Sequence, residues 1–203
     1  MSERGILLHT LDRLFAGPRE SLLSLDEFLR GLDERSYPFI IAALNLPNCI
    51  PTGIPGLSTV TGIPMLLLLA QYLAGRPSPS LPRFVGQRSL PRGRLQRCLA
   101  SCRRYVAWLE DRLHPRLEML LMGLPRRLLL LAWTFNIVVL ALPIPFDNLF
   151  PAWAVLFFCL ALVEDDGVMA LLGWILTAVT VLWTAFLLIA GPYVVIHAVK
   201  MLF

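Results

Sequence analysis

The sequence predicts an all-α integral membrane protein: two pseudo-repeated broken or re-entrant helical hairpins, C-terminal transmembrane helices, and amphipathic interfacial helices. Three observations predict it. Of 203 residues, 57% are hydrophobic and 16% charged, and the mean hydropathy is +0.68. A soluble domain does not carry that apolar load. It is concentrated in 38–75 and 117–203, and the charged N-terminus "MSERGILLHTLDRLFAGPRE" lacks the continuous apolar run of a cleavable signal. The second observation is "IPTGIPGLSTVTGIP" (50–64), turn chemistry set between the apolar runs "PFIIAALNL" and "MLLLLAQYLA". The third is its recurrence, since sliding the chain by ninety residues lays Ile54 and Pro55 on Ile144 and Pro145, Ser58 on Asn148, and Arg76 on Asp166.

The arms flanking each break are short. From Tyr37 only about a dozen residues precede Pro47, and a helix of about 13 residues rises about 20 Å against a hydrocarbon core of about 30 Å. Ile63 to Ala74 is equally short. In the second half, 127–141 and 153–163 flank "LPIPFDNLFPA" (142–152). Irregular backbone at membrane depth is tolerated where protein buries it or where it lines a wet cavity. Each break is therefore read as a site rather than a connection. Paired interrupted segments in corresponding halves point to a transporter-type binding site, usually with inverted topology. Inversion needs an odd number of crossings between the repeats. Either one arm crosses fully, both hairpins dip from the same side, or a homodimer supplies the symmetry.

Charge sets the orientation. Residues 1–35 hold five Arg and seven acids, 76–127 twelve Arg and three acids, and 128–203 one Lys and four acids. By the positive-inside rule the Arg-rich connection 76–127 is cytoplasmic, in preference to a nucleic-acid role. Leu95, Leu99, Cys102, Val106, Leu109 and Leu113 form one apolar stripe with Arg94, Arg97, Arg103 and Arg104 off it. Such a helix lies flat against anionic lipid. Ser24 with Glu27 reads as a capping box opening an N-terminal amphipathic helix. The resulting organisation is a cytoplasmic helical segment (1–36), the first hairpin (37–76), the Arg-rich connection with its interfacial helix (77–126), the second hairpin (127–166) and C-terminal transmembrane segments (167–203). Of these last, 168–190 is long enough to span, and a further apolar stretch follows Gly191 and Pro192.

Half-helices that begin at a break aim free N–H groups and a partial positive charge at it, which makes an anion site. The first break offers Pro55, Gly56, Ser58, Thr59, Gly62 and Pro64; the second offers Pro145, Asp147, Asn148 and Pro151. Gln71 is placed to reach across, and Arg76 and Arg116 to draw negative charge at the cytoplasmic mouth. Asp166 closes the second arm, where a solvated turn is the plainer reading of the run Glu164, Asp165, Asp166. A carboxylate at membrane depth, as at Asp147, is costly and marks function by default. The plainer alternatives are helix caps for Ser58 and Asn148 and a water-facing loop for Asp147. Cys98 and Cys102 lie four apart, but no His or further Cys completes a metal set, so neither metal nor cofactor is expected. His9, His114 and His197 are scattered, and no catalytic motif accompanies them, so no enzyme is expected.

The blocks "SLDEFLRGL" (24–32), "IPGLSTVTGIPMLLLLAQYLAGRPSPSLP" (54–82), "LEDRLHPRLEML" (109–120) and "LPIPFDNLFPAWAVLFFCLALVEDDGV" (142–168) resemble the ExoD family of bacterial inner-membrane proteins, named for exopolysaccharide synthesis. The resemblance covers roughly 21–200. Two positions depart from its pattern: Ser80 stands where an aromatic is expected, and Asp147 where a glycine is. The resemblance implies a role in exopolysaccharide production and tolerance of alkaline conditions, without fixing a molecular activity. The favoured expectation is a transporter-like protein of the bacterial inner membrane. It binds an anionic or ionic substrate, either a phosphate-bearing lipid carrier or ions exchanged for protons, with membrane lipids as neighbours. The competing expectation is a non-catalytic scaffold or regulator of polysaccharide machinery, docked through the Arg-rich helix.

Overall fold

The computed structural model describes residues 16, 18, 20–24, 35–50, 56–80, 89–93, 96–97, 100–101, 103–104, 113, 115–142 and 147–202, with side chains of the final helix described as far as Ile189. Pro55 and Pro145, the centres of the two breaks, lie outside the described residues, as do most of the N-terminal segment and of the stripe from Leu95 to Leu109. Described positions within and just before that stripe (92–93, 96–97, 100–101 and 103–104) are helical. Ser24, expected as a helix cap, ends a three-residue strand, β1 (Leu22–Ser24), which pairs antiparallel with β2 (Ser89–Pro91). This ribbon is the one departure from helix among the named elements. It ties the N-terminal segment to the Arg-rich connection, with Arg92 donating to the Ala16 carbonyl.

Five helices carry the rest: α1 (Ser36–Asn45), α2 (Leu57–Leu73), α3 (Gly123–Ala141), α4 (Leu149–Glu164) and α5 (Gly167–Leu202). A 3₁₀ turn, Leu46–Cys49, prolongs α1. α2, α3 and α4 exceed their expected bounds, and because α2 and α4 start earlier the breaks are narrower than the sequence implied. α2 begins at Leu57 instead of Ile63 and runs through Pro64. Proline ends a helix only where the lost hydrogen bond and ring clash are not offset, and here the first turn forms ahead of it, with Val60 N–H bonded to the Gly56 carbonyl at 3.0 Å. Gly56 supplies the left-handed N-cap (φ 79°). Pro151 falls in the first turn of α4, where its missing N–H costs nothing. α5 likewise continues through Gly191 and Pro192 as one helix of 36 residues. Of the described helices, α3 and the stretch Gly167–Ile189 are long and apolar enough to cross a membrane.

Contacts along each pair fix the arrangement. Tyr37 and Tyr72 rings sit 5.4 Å apart at one end of α1 and α2, and Asn48 donates to Thr61 at 2.9 Å at the other. α2 meets α3 at Tyr72–Trp133 and Gly62–Ala141, while α4 meets α1 at Asp165–Arg35 and Ala152–Asn45. The four helices therefore alternate in direction around a closed bundle, and α5 packs antiparallel outside α4 through Phe150–Trp183 and Phe158–Trp174. Both breaks lie at the same end. The hairpins are thus side by side and parallel to each other, not inverted, within the chain.

Close approach holds the bundle. A Cβ built on Gly62 lies 2.7 Å from the Ala141 Cβ and 2.8 Å from its Cα, and one on Gly173 lies 2.6 Å from the Phe158 ring. Tyr37, Ile41, Met65, Leu129, Trp133, Ile137, Leu140, Val155 and Phe158 fill the interior with no exposed surface. Outside, Leu124, Leu128, Leu131, Phe135, Val138 and Leu142 form an exposed stripe on α3, and Val60, Ile63 and Leu67 one on α2.

At the far end from the breaks a clasp joins the connection to α5. Arg116 guanidinium nitrogens approach the fully buried Asp166 carboxylate at 3.3 to 3.4 Å, and the Gly167 N–H donates to the Arg116 carbonyl at 2.8 Å. Asp166 also caps α5 by accepting from the Val168 N–H at 2.8 Å. Two outcomes follow for thermal unfolding in detergent micelles. Gly62→Leu lowers stability by about 1–3 kcal/mol through overpacking against Ala141. Arg116→Ala costs about 2 kcal/mol, because it strands a buried carboxylate, whereas Asp166→Asn costs less, because Asn still caps the helix and a half-exposed Arg116 rehydrates.

Candidate functional site

Polar side chains buried in an apolar bundle identify the region to examine, because each costs free energy unless partnered. Asn45, Asn48, Ser58 and Asp147 gather at the break end. Asn45 ends α1 and donates Nδ2 to the Ala152 carbonyl of α4 at 2.6 Å. Trp153 answers from α4, its indole N–H donating to the Cys49 carbonyl at 3.2 Å. Asn48, in the 3₁₀ turn, donates to Thr61 Oγ1, which itself donates back to the Leu57 carbonyl at 3.0 Å. The C-terminal end of α1 is therefore wedged between the first turns of α2 and α4. Each of those turns begins at a break, and neither has a side-chain cap hydrogen bond.

At the second break Asp147 is 1% exposed, and its Oδ2 accepts from Thr184 Oγ1 of α5 at 2.8 Å. Further along α5, Thr177 accepts from the buried Asn136 of α3 at 2.8 Å. Thr177, Thr180 and Thr184 step by three and four, so one face of α5 presents a row of hydroxyls to the bundle. Several acceptor oxygens here are buried with no donor among the described residues: Asn45 Oδ1, Asn136 Oδ1, Asp147 Oδ1 and Asn148 Oδ1, together with the Thr59 hydroxyl.

The structure sorts the expected site residues into two groups. Gly56, Ser58, Thr59, Gly62, Asp147, Asn148 and Pro151 lie at the break end, with Ser58 buried on the second residue of α2. Neither Ser58 nor Asn148 is a side-chain cap, and Asp147 does not face water. Pro64 lies within α2, one turn further on. Gln71, Arg76, Arg116 and Asp166 lie at the opposite end, about 20 Å of helix away. Gln71 does not reach the break: its Oε1 accepts from the Ser80 N–H at 2.7 Å, while Arg76 donates to the Ser80 hydroxyl at 3.0 Å. Arg116 is held by Asp166, and Asp166 is buried instead of solvated. Asp165, in the left-handed region at φ 52°, pairs with Arg35 at 2.8 Å.

Sequence reasoning missed Asn45, Asn48, Asn136 and the α5 threonines. The available signal was amide and hydroxyl side chains inside otherwise apolar helices, which in a membrane setting mark helix contacts. It also missed Arg126, which donates to the Tyr72 hydroxyl at 2.9 Å and stands with Arg76 at the end where Tyr37 and Tyr72 pack. The described residues contain no group of three or more metal-ligating side chains.

The family model "Exopolysaccharide synthesis, ExoD" matches residues 7–186. The chain is similar to Protein ExoD of Rhizobium meliloti (strain 1021), with 30% identity over 185 residues, covering 89% of this chain and 77% of that one. It is also similar to the uncharacterized protein slr1875 of Synechocystis sp. (strain ATCC 27184 / PCC 6803 / Kazusa), with 26% identity over 165 residues, covering 81% and 78%. No solved structure matches. With a family match across most of its length and a curated relative at this identity, the chain belongs to the ExoD family, whose name ties it to exopolysaccharide synthesis.

Proposed function

We propose that this protein is a multi-pass, transporter-like protein of the bacterial inner membrane that serves exopolysaccharide synthesis by binding an anionic or ionic substrate between its two hairpins. The observation that carries the reading is the buried polar end of the bundle. Asn48, Ser58, Asp147 and Asn148 converge there with the uncapped N-termini of α2 and α4. Two helix N-termini directed to one end favour negative charge. A phosphate-bearing lipid carrier suits that chemistry, and ions exchanged for protons suit the carboxyl. The exposed leucine and valine stripes on α2 and α3 support lipid around the bundle, since in water they would be a large contiguous apolar surface. Arg76 and Arg126, at the opposite end, support a cytoplasmic placement of that end, where they meet anionic headgroups. No enzymatic step is proposed.

The test is movement of a fluorescent polyprenyl phosphate across vesicles reconstituted with the full chain. Ser58→Ala and Asn148→Ala each slow it about tenfold, the effect of removing a hydrogen bond to a charged group. Unchanged rates in both variants refute the site. If instead charge reversal at Arg97 and Arg104 abolishes polysaccharide production while the break variants are silent, the protein acts as a scaffold docked through its basic helix.

A further inference from the structure

Asp147 has a setting that the anion site alone does not explain. Across 36–75, 128–163 and 167–196 it is the one acidic or basic side chain, histidine included. It is buried, and its hydrogen-bond partner among the described residues is the Thr184 hydroxyl. The nearest arginines in sequence, Arg126 and Arg127, begin α3 at the opposite end, and Glu164 ends α4 there. The elements of the bundle otherwise contribute Tyr37, Tyr72, Cys49 and Cys159 as titratable groups, together with Tyr193, His197 and Lys200 of α5, whose side chains lie outside those described. Tyr37 and Tyr72 belong to the arginine end, Cys49 packs on Ala152, and Cys159 is buried in the core. No described cation neutralises Asp147.

Its second oxygen makes the point sharper. Asp147 directly precedes Asn148, the N-cap of α4, where an ionised carboxylate is well placed to accept a helix N–H. Yet among the described residues no donor reaches Oδ1, and none reaches Asn148 Oδ1 beside it. Two adjacent buried acceptors without a donor lack what a proton supplies. We propose that Asp147 is a proton-carrying site that is neutral when an anion occupies the break end, so that the anion and the proton share one passage. This rests on the anion-binding reading and names its coupling ion. The logic is electrostatic: a fixed negative charge beside the α2 and α4 N-termini repels the guest those N-termini attract, and a proton on Asp147 removes the conflict. Thr177, Thr180 and Thr184 lie along the face of α5 from Asn136 to Asp147; Thr177 and Thr180 donate to the Gly173 and Leu176 carbonyls, and Thr184 donates to Asp147.

The experiment labels the full chain in detergent micelles with dicyclohexylcarbodiimide, which reacts with protonated carboxyls in apolar surroundings, and locates the adduct by peptide mass spectrometry. The expected result is an adduct on Asp147 that rises up to about tenfold per pH unit as the buffer is acidified, in proportion to single-site proton uptake. It is absent from Asp147→Asn and indifferent to exchange of choline chloride for sodium chloride. An adduct suppressed by sodium at constant pH makes the occupant a metal cation and overturns the proposal. So does the absence of an Asp147 adduct at every pH. Because labelling needs no substrate, it separates the two readings. A labelled protein that moves no polyprenyl phosphate keeps the proton site and loses the anion passage, and an unlabelled one that moves it does the reverse.

Discussion

Asn45 and Trp153 reach between the two hairpins in opposite directions, one donating to the Ala152 carbonyl and the other to the Cys49 carbonyl. The arrangement of the bundle depends on this exchange. α1 is ten residues long and rises about 15 Å, and its last carbonyls, like those of any helix, have no partner within it. The 3₁₀ turn and these cross-hairpin bonds give the polar groups partners. In doing so they draw the first turn of α4 against the end of α1, and Asn48 does the same for α2 through Thr61.

The consequence is a molecule with two chemically opposite ends. Among the described residues the break end holds buried acceptors that lack donors, and the helix N-termini directed to it have no side-chain cap. The other end is rich in donors and cations. Arg35 and Arg116 are engaged with Asp165 and Asp166, while Arg76 and Arg126 bond to the neutral hydroxyls of Ser80 and Tyr72. Glycine at 62 and at 173 lets the helices between these ends approach to contact distance. The candidate site lies where the helices are interrupted.

Much of this was legible in the sequence. The apolar load and the two proline-bearing breaks anticipated the four arms that became α1 to α4 and the span that opens α5, but not which ends of them stand together. Ser58, Asp147 and Asn148 were singled out because polar residues stood beside interruptions in apolar runs, and all three lie at the break end. What the pattern overstated was the width of the breaks. Pro64 reads as a helix end, yet α2 runs through it, since a helix already formed on its N-terminal side tolerates one lost bond. Gln71 was misplaced for a related reason. Spacing along a chain does not say that fourteen more helical residues carry a side chain to the far end of the bundle.

By itself, then, the sequence determined the elements: their apolar character, their interruptions, and the asymmetric placement of positive charge, all of which are local properties of residue type and period. Only the tertiary structure decided that the hairpins lie parallel with both breaks at one end, that Arg116 closes on Asp166 across 50 residues, and that Thr184 of α5 supplies the donor to Asp147. The reason is that direction and pairing are set by contacts between distant segments. Gly62 against Ala141 and Asn45 against Ala152 are such contacts, and no periodicity within either segment records its partner.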